Sequence, residues 1–116
     1  MTSERMRRVD EAVRQVIGDA LARELKDPRV GFVTVTDVRT STDLSHARVY
    51  VSVLGDKQQR ESSMAGLESA HGYLQRQLST QLRLKRTPTL QFIYDETTDR
   101  AMRLEELLRQ SGAEDE

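Results

Sequence analysis

Apolar residues recur at intervals of three and four over residues 3–25. This spacing lines one face of an α-helix, so it predicts a helix over this stretch. The helix is expected to stop before Asp27-Pro28, because a proline pushes the preceding residue out of the helical backbone region. The apolar positions on the predicted face are Val9, Val13, Val16, Ile17, Ala20, Leu21 and Leu25.

Two β-strands are predicted after the proline. Residues 30–38, which include Phe32, are rich in β-branched and aromatic side chains, and residues 47–53 alternate between apolar and polar ones. The intervening segment Thr40-Ser41-Thr42-Asp43 favours a turn, so an antiparallel hairpin is expected. The alternation in the second strand indicates a sheet with one face on the core and the other face more open.

Two helices are predicted next. Residues 57–70 return to helical spacing, with Met64 and Leu67 on one face, and Gly72 is expected to disturb the helix directly afterwards. Four-residue spacing then predicts a third helix that ends before Pro88. Its apolar positions are Leu74, Leu78 and Leu82.

A third strand and a last helix complete the pattern. Leu90, Phe92 and Tyr94 alternate as in a strand, and residues 99–109 predict a short amphipathic helix. An amphipathic helix normally buries its apolar stripe in its own domain, so Leu104, Leu107 and Leu108 are expected in the core. The predicted order is α-β-β-α-α-β-α, which indicates the α+β class with a three-stranded sheet.

Composition agrees with one folded domain. The chain has 116 residues, of which 36% are hydrophobic and 32% charged, and we assign residues 1–110 to the domain and 111–116 to a disordered polar tail. The sequence lacks cysteine and has only two separated histidines, His46 and His71, so no metal site and no cofactor are expected. Without an apolar leader or spanning segment, a cytoplasmic protein with no membrane contact is predicted. Nothing in the sequence resembles a coiled-coil seam, so a monomer is expected.

Charge is unevenly distributed along the chain. The net charge is −1, yet residues 69–94 contain four cations and no Asp or Glu. Clustered cations are the usual electrostatic signature of phosphate binding, so this segment is predicted to contact nucleic acid. The candidate cations are Arg76, Arg83, Lys85 and Arg86, with Arg5, Arg7 and Arg8 at the start of the first helix as an extension.

The triplet Ala70-His71-Gly72 marks the predicted break between the second and third helices. Glycine permits a sharp bend or a close backbone approach, and backbone amides freed by the break are candidates for contact with phosphate. The alternative is a kink that only fits two helices over the sheet. His71 likewise has two interpretations, contact with RNA or ordinary packing.

No catalytic constellation is evident in the sequence. Asp37 and Asp43 flank the hairpin turn, but solvent exposure explains the first carboxylate and turn chemistry explains the second. No nucleophile with a neighbouring base stands out. The chain is therefore predicted not to be an enzyme.

The predicted order of elements, with two helices meeting at a glycine-containing break, is similar to the type II KH domain, an RNA-binding fold. The break resembles the AxG interruption of the ribosome-binding factor A family, and further matches extend over roughly residues 5–110. Thr89 departs from the family, which commonly has glutamate there. The matching segments are Arg8-Val9, Lys26-Asp27-Pro28-Arg29, Thr34-Val35-Thr36, Ser41-Thr42-Asp43-Leu44, residues 47–53, Gly72-Tyr73-Leu74, Pro88, Leu90, Phe92 and Asp95.

This resemblance implies a non-enzymatic ribosome-assembly factor. Such a factor would bind the immature or free small (30S) ribosomal subunit and its 16S rRNA, promote maturation of the rRNA 5′ end, and matter most in the cold. An assembly GTPase is a further candidate partner. The alternative is a protein-interaction module whose basic helices are only solvated surfaces.

Overall fold

The computed structural model describes residues 3–24 and 27–114 and confirms the predicted order of elements. Leu25, the last apolar position of the first predicted helix, lies outside the described residues, as do residues 115–116 of the predicted tail. The elements are helix α1 (Glu4–Asp19, followed by a π-helical turn over Ala20–Glu24), strands β1 (Val33–Thr40) and β2 (His46–Val53), helices α2 (Lys57–Ser69) and α3 (His71–Gln81), strand β3 (Thr89–Tyr94) and helix α4 (Thr97–Glu114).

Side-chain caps fix where α1 and α2 begin. Ser3 Oγ accepts the backbone N–H of Met6 at 3.1 Å. Ahead of α2, Asp56 Oδ1 accepts the N–H of Gln59, while Gln59 Oε1 accepts the N–H of Asp56, each at 2.8 Å. Such reciprocal caps satisfy backbone donors that have no partner within the helix.

The sheet is mixed, and its strands lie side by side in the order β1-β2-β3. The hairpin of β1 and β2 is antiparallel, as predicted, whereas β3 runs parallel to β2. A parallel neighbour requires a crossover, which α2 and α3 provide. The predicted α+β class is thus confirmed.

One face of the sheet forms the core together with α1, α2 and α3. Val49 and Val51 on β2 are fully buried, and Leu90 and Phe92 on β3 are nearly so. The helices contribute a larger buried set, namely Met6, Val9, Val13, Val16, Ile17, Leu67, Leu74 and Leu78. The other face of the sheet carries polar side chains such as Arg48 and Gln91, which are exposed.

A β-bulge in β1 changes the period of the strand. Val35 pairs with Val51 and Asp37 pairs with Tyr50, so Thr36 is the extra residue. Thr36 Oγ1 donates to Asp95 Oδ2 at 2.6 Å, which ties the bulge to the end of β3. The extra residue brings both Val35 and Val38 to the core face although they are three positions apart.

The first strand begins later than the predicted residue 30, because the preceding segment packs on α2 rather than in the sheet. Gly31 N–H donates to the buried Ser63 Oγ at 3.1 Å. Phe32, predicted as a strand residue, lies just outside β1 and is 80% exposed. β-propensity alone predicts the wrong start for β1, because the docking of residues 29–31 on α2 competes with strand pairing.

The prediction that the leucines of the last helix are buried is wrong. Leu104, Leu107 and Leu108 of α4 are each about 60% exposed. The helix also continues to Glu114, beyond the boundary at which the sequence predicts a polar tail. None of the described helices, α4 included, combines the length and the apolar content that crossing a bilayer requires.

Candidate nucleic-acid interface

The loop from α3 to β3 presents three of the predicted cations. Leu82 and Leu84 are half-buried and pack against the core, whereas Arg83, Lys85 and Arg86 are exposed. Leu82 has extended backbone, with φ −108° and ψ 125°, so side chains alternate from this point. The leucines thereby hold Arg83, Lys85 and Arg86 at the surface, and these three cations are called the loop cluster below.

The start of α1 lies beside the loop cluster. Arg5 and Lys85 line a common depression of about 340 Å³, together with Thr42 of the β1–β2 turn. Arg5 and Arg8 line a neighbouring depression of about 420 Å³, which Leu84 borders. The structure therefore brings Arg5 and Arg8 to the same surface as the loop cluster, although they are about 80 positions away in the sequence.

The β1–β2 turn places one carboxylate at this basic surface. Asp43 Oδ1 accepts hydrogen bonds from the hydroxyls of Ser45 and Ser41, each at 2.7 Å, and from Ser45 N–H at 3.0 Å. These bonds hold the pKa of Asp43 well below its ordinary value, and the positive charge of Arg86 lowers the pKa further. Turn chemistry, as the sequence suggested, thus accounts for Asp43.

Neither Arg7 nor Arg76 lines the two depressions that contain Arg5, Arg8 and Lys85. Arg7 is about 200° around α1 from Arg5 and borders a different depression, which Asp10 and Arg39 also line. Arg76, on α3, extends toward the start of that helix. Its Nη1 atom is 3.9 Å from the position that a Cβ on Gly72 would occupy.

The break between α2 and α3 occurs at Ala70 rather than at Gly72. Ala70 has φ −86° and ψ 2°, and it ends α2 and begins α3 without offering a side-chain cap to the second helix. Gly72 lies within the first turn of α3 and is exposed, and a Cβ added there would meet no backbone within 4 Å apart from that of its own helix. Gly72 is therefore not needed for the bend.

His71 serves as a packing residue between α3 and the sheet. Its Nε2 donates to the backbone carbonyl of Leu90 at 2.8 Å. Its ring meets the ring of Phe92 edge-on, with centroids 6.3 Å apart and planes at 87°. These contacts favour the packing interpretation of His71 over direct contact with RNA.

A glycine that the packing of α2 requires is Gly66, which the sequence interpretation did not single out. A Cβ at Gly66 would lie 2.6 Å from Val30 Cγ2 and 3.3 Å from Arg29 Cβ. The missing side chain lets the segment before β1 approach α2. An isolated glycine inside a helical pattern is the signal that would have identified it.

Two further carboxylates cap the free edge of β1. Asp37 Oδ1 accepts Val38 N–H at 2.9 Å, and Asp10 Oδ1 accepts Thr40 N–H at 2.8 Å. From the sequence, Asp37 was explained by solvent exposure alone, and no role was predicted for Asp10. Covering edge donors in this way discourages pairing with another strand.

Metal-ligating side chains do not converge within the part of the chain that the structure describes. His46 is in the β1–β2 hairpin, where its Nδ1 lies 2.8 Å from Ser45 Oγ. His71, by contrast, is bound to the Leu90 carbonyl. The geometry is that of a basic surface suited to phosphate.

The known proteins to which the chain is similar, as reported below, are all described as ribosome-binding factor A. The family model of ribosome-binding factor A matches residues 5–108. Ribosome-binding factor A of Halothermothrix orenii is 42% identical over 116 residues, covering 100% of this chain and 95% of that protein. The crystal structure of ribosome-binding factor A from Thermus thermophilus is 27% identical, with a TM-score of 0.68 over 77% of this chain and 93% of that chain. A Thermus thermophilus homology model fitted into a cryo-EM map of a 30S complex is 28% identical, with a TM-score of 0.62 over 74% and 90% of the two chains.

Proposed function

Because the chain belongs to the ribosome-binding factor A family, we propose that it binds the small (30S) ribosomal subunit and contacts the 16S rRNA through the loop cluster and the start of α1. The observation that carries this proposal is the convergence of Arg5, Arg8 and Lys85 on one exposed surface. The Thermus thermophilus relative in a 30S complex supports the choice of partner.

The chemistry of the surface suits a phosphate backbone. Among the described residues, no carboxylate forms an ion pair with Arg83, Lys85 or Arg86, so their charge is available to a ligand. Arg8 is paired with Glu4 at 3.2 Å, but both side chains are about 80% exposed. Such a pair contributes little to stability, and Arg8 can exchange Glu4 for phosphate.

The proposed role is that of an assembly factor rather than an enzyme. Binding to the immature or free subunit would promote maturation of the 5′ end of 16S rRNA, with the greatest need in the cold. The protein would act in the cytoplasm as a monomer without a cofactor, and an assembly GTPase is the proposed additional partner. The proposed RNA-binding domain comprises residues 1–110, and α4 extends beyond this boundary to Glu114.

The proposed function is tested by sedimenting the full chain with purified small subunits over a series of salt concentrations. Cations that bind phosphate release condensed counterions, so log K is expected to fall linearly with log salt, by about 0.7 to 0.9 for each phosphate contact. Large subunits are the matched control. Binding to small subunits that does not respond to salt would contradict the electrostatic mechanism and favour the protein-interaction alternative.

We propose that a phosphate approaches the backbone at the break between α2 and α3, because Gly72 has no side chain and Ala70 only a small one. Arg76 would contact the same phosphate. Gly72→Val is expected to weaken binding to small subunits several-fold, because its side chain would occupy the space beside the Arg76 guanidinium. Its folding stability should change by less than about 0.5 kcal/mol, since valine and glycine differ little in helix propensity. Sedimentation and urea unfolding measure the two effects, and unchanged binding would leave the break with only a structural role.

A further inference from the structure

The open face of the sheet, opposite the helices that form the core, carries a second group of cations. One of them, Arg39 at the β1 edge, also lines a depression together with residues of α1. Arg39 on β1 pairs directly with Arg48 on β2, and Arg48 pairs with Gln91 on β3. His46 lies on the same face, one row nearer to the β1–β2 turn. These four residues, Arg39, His46, Arg48 and Gln91, are called the open-face site.

The arrangement of the two arginines is unfavourable for folding. Like charges directly opposite each other on neighbouring strands destabilise a sheet. Asp37 partly offsets the charge of Arg39, because Asp37 Oδ2 accepts the Nε–H of Arg39 at 3.1 Å. Both side chains are at least half exposed, however. Within the described part of the chain, Arg48 has no carboxylate partner. An external anion would relieve the repulsion.

The site is concave and rich in hydrogen-bond donors. Arg39, His46, Arg48 and Gln91 line a depression of about 480 Å³, which Thr40 and Ser41 also border. Two guanidinium groups and an amide offer several N–H groups to one ligand. Toward the other end of the sheet, the next row is Asp37, Tyr50 and Ile93, which contains no cation. The cations of the open face are therefore confined to the rows near the turn.

We propose that the open-face site binds the phosphate backbone of single-stranded 16S rRNA, so that the RNA contacts both faces of the sheet around the β1–β2 turn. The proposal rests on the proposed function. Continuity favours RNA, because Thr42 and Asp43 of the same turn border the depression that Arg5 and Lys85 line. A flexible polyanion can pass around this turn from the loop cluster to Arg48, with Asp43 as the one carboxylate of the turn that borders the connecting depression.

The decisive variant is Arg48→Glu, because it separates binding from stability. A glutamate opposite Arg39 would form an attractive cross-strand pair, so the Tm is expected to stay constant or rise by a few degrees. Binding to small subunits and to protein-free 16S rRNA is expected to weaken about tenfold, with a salt slope lower by about 1. Arg103→Glu on α4 makes the same charge change at an exposed position and is expected to change binding by less than about twofold.

The outcomes are distinguishable. Equal binding by Arg48→Glu and Arg103→Glu, with intact binding by the unmodified chain, overturns the open-face site and leaves the proposed function standing. Weaker binding to subunits but not to protein-free 16S rRNA also overturns it, because the partner would then be a ribosomal protein. Failure of the unmodified chain to bind small subunits would instead refute the proposed function itself.

Discussion

Replacing Arg83, Lys85 and Arg86 together by alanine is expected to weaken binding to small ribosomal subunits about 100-fold at about 0.15 M salt. Three lost phosphate contacts should also lower the slope of log K against log salt by about 2 to 3. Sedimentation of the triple variant and of the unmodified chain, over the same salt series, measures both quantities.

The folded state should tolerate this change. All three side chains are exposed, and the loop is held by Leu82, Leu84 and the fully buried Pro88, which the variant retains. Surface substitutions of this kind usually alter stability by less than about 0.5 kcal/mol. A loss of binding with an unchanged urea midpoint therefore reports on the interface.

The matched control removes three cations elsewhere. Arg100, Arg103 and Arg109 lie on α4 and are exposed, so their triple alanine variant has the same net charge. Distant exposed charges are screened within about 8 to 10 Å in salt, so the control is expected to bind nearly as well as the unmodified chain. Equal loss in both variants would mean that total charge, rather than the loop cluster, governs binding.

Gly66→Val is expected to destabilise the fold by about 2 to 3 kcal/mol. Even a Cβ at this position would come within 2.6 Å of Val30 Cγ2, and the γ carbons of valine would extend farther toward the segment before β1. Because single domains have total stabilities of roughly 5 to 15 kcal/mol, the loss should be evident in a urea titration.

Gly72→Val is the control for Gly66→Val, because it makes the same replacement in a helix of the same domain. A Cβ added at Gly72 would have only Arg76 Nη1 near it, at 3.9 Å, and that group is the end of a flexible exposed side chain. If both variants lost equal stability, the close approach of residues 29–30 to α2 would not be what requires Gly66.

Local patterns in the sequence were sufficient for the order of elements and for most of the core. Spacing of three and four placed Val13, Ile17, Leu74 and Leu78 on buried helix faces, and all four are fully buried. These predictions hold because a periodic apolar pattern reports which face of an element can be buried, and that information lies within the element itself. The clustering of cations in residues 69–94 was also evident from the sequence alone.

Other features depend on residues far apart in the sequence. The start of α1 meets the α3–β3 loop only through folding, and Arg7 is directed elsewhere by its position around the helix. The bulge at Thr36 is tied to Asp95, 59 positions away, so alternation alone did not reveal it.

The sequence by itself determined which segments are helices and strands, and that a cationic segment without acids follows residue 69. Only the tertiary structure decided that α4 keeps its leucines exposed, that Gly66 rather than Gly72 is sterically required, and that Arg39 faces Arg48 across two strands. The physical reason is the same in each case. Periodicity identifies a face that can be covered, whereas exposure, close approach and charge pairing depend on which distant segment lies against that face.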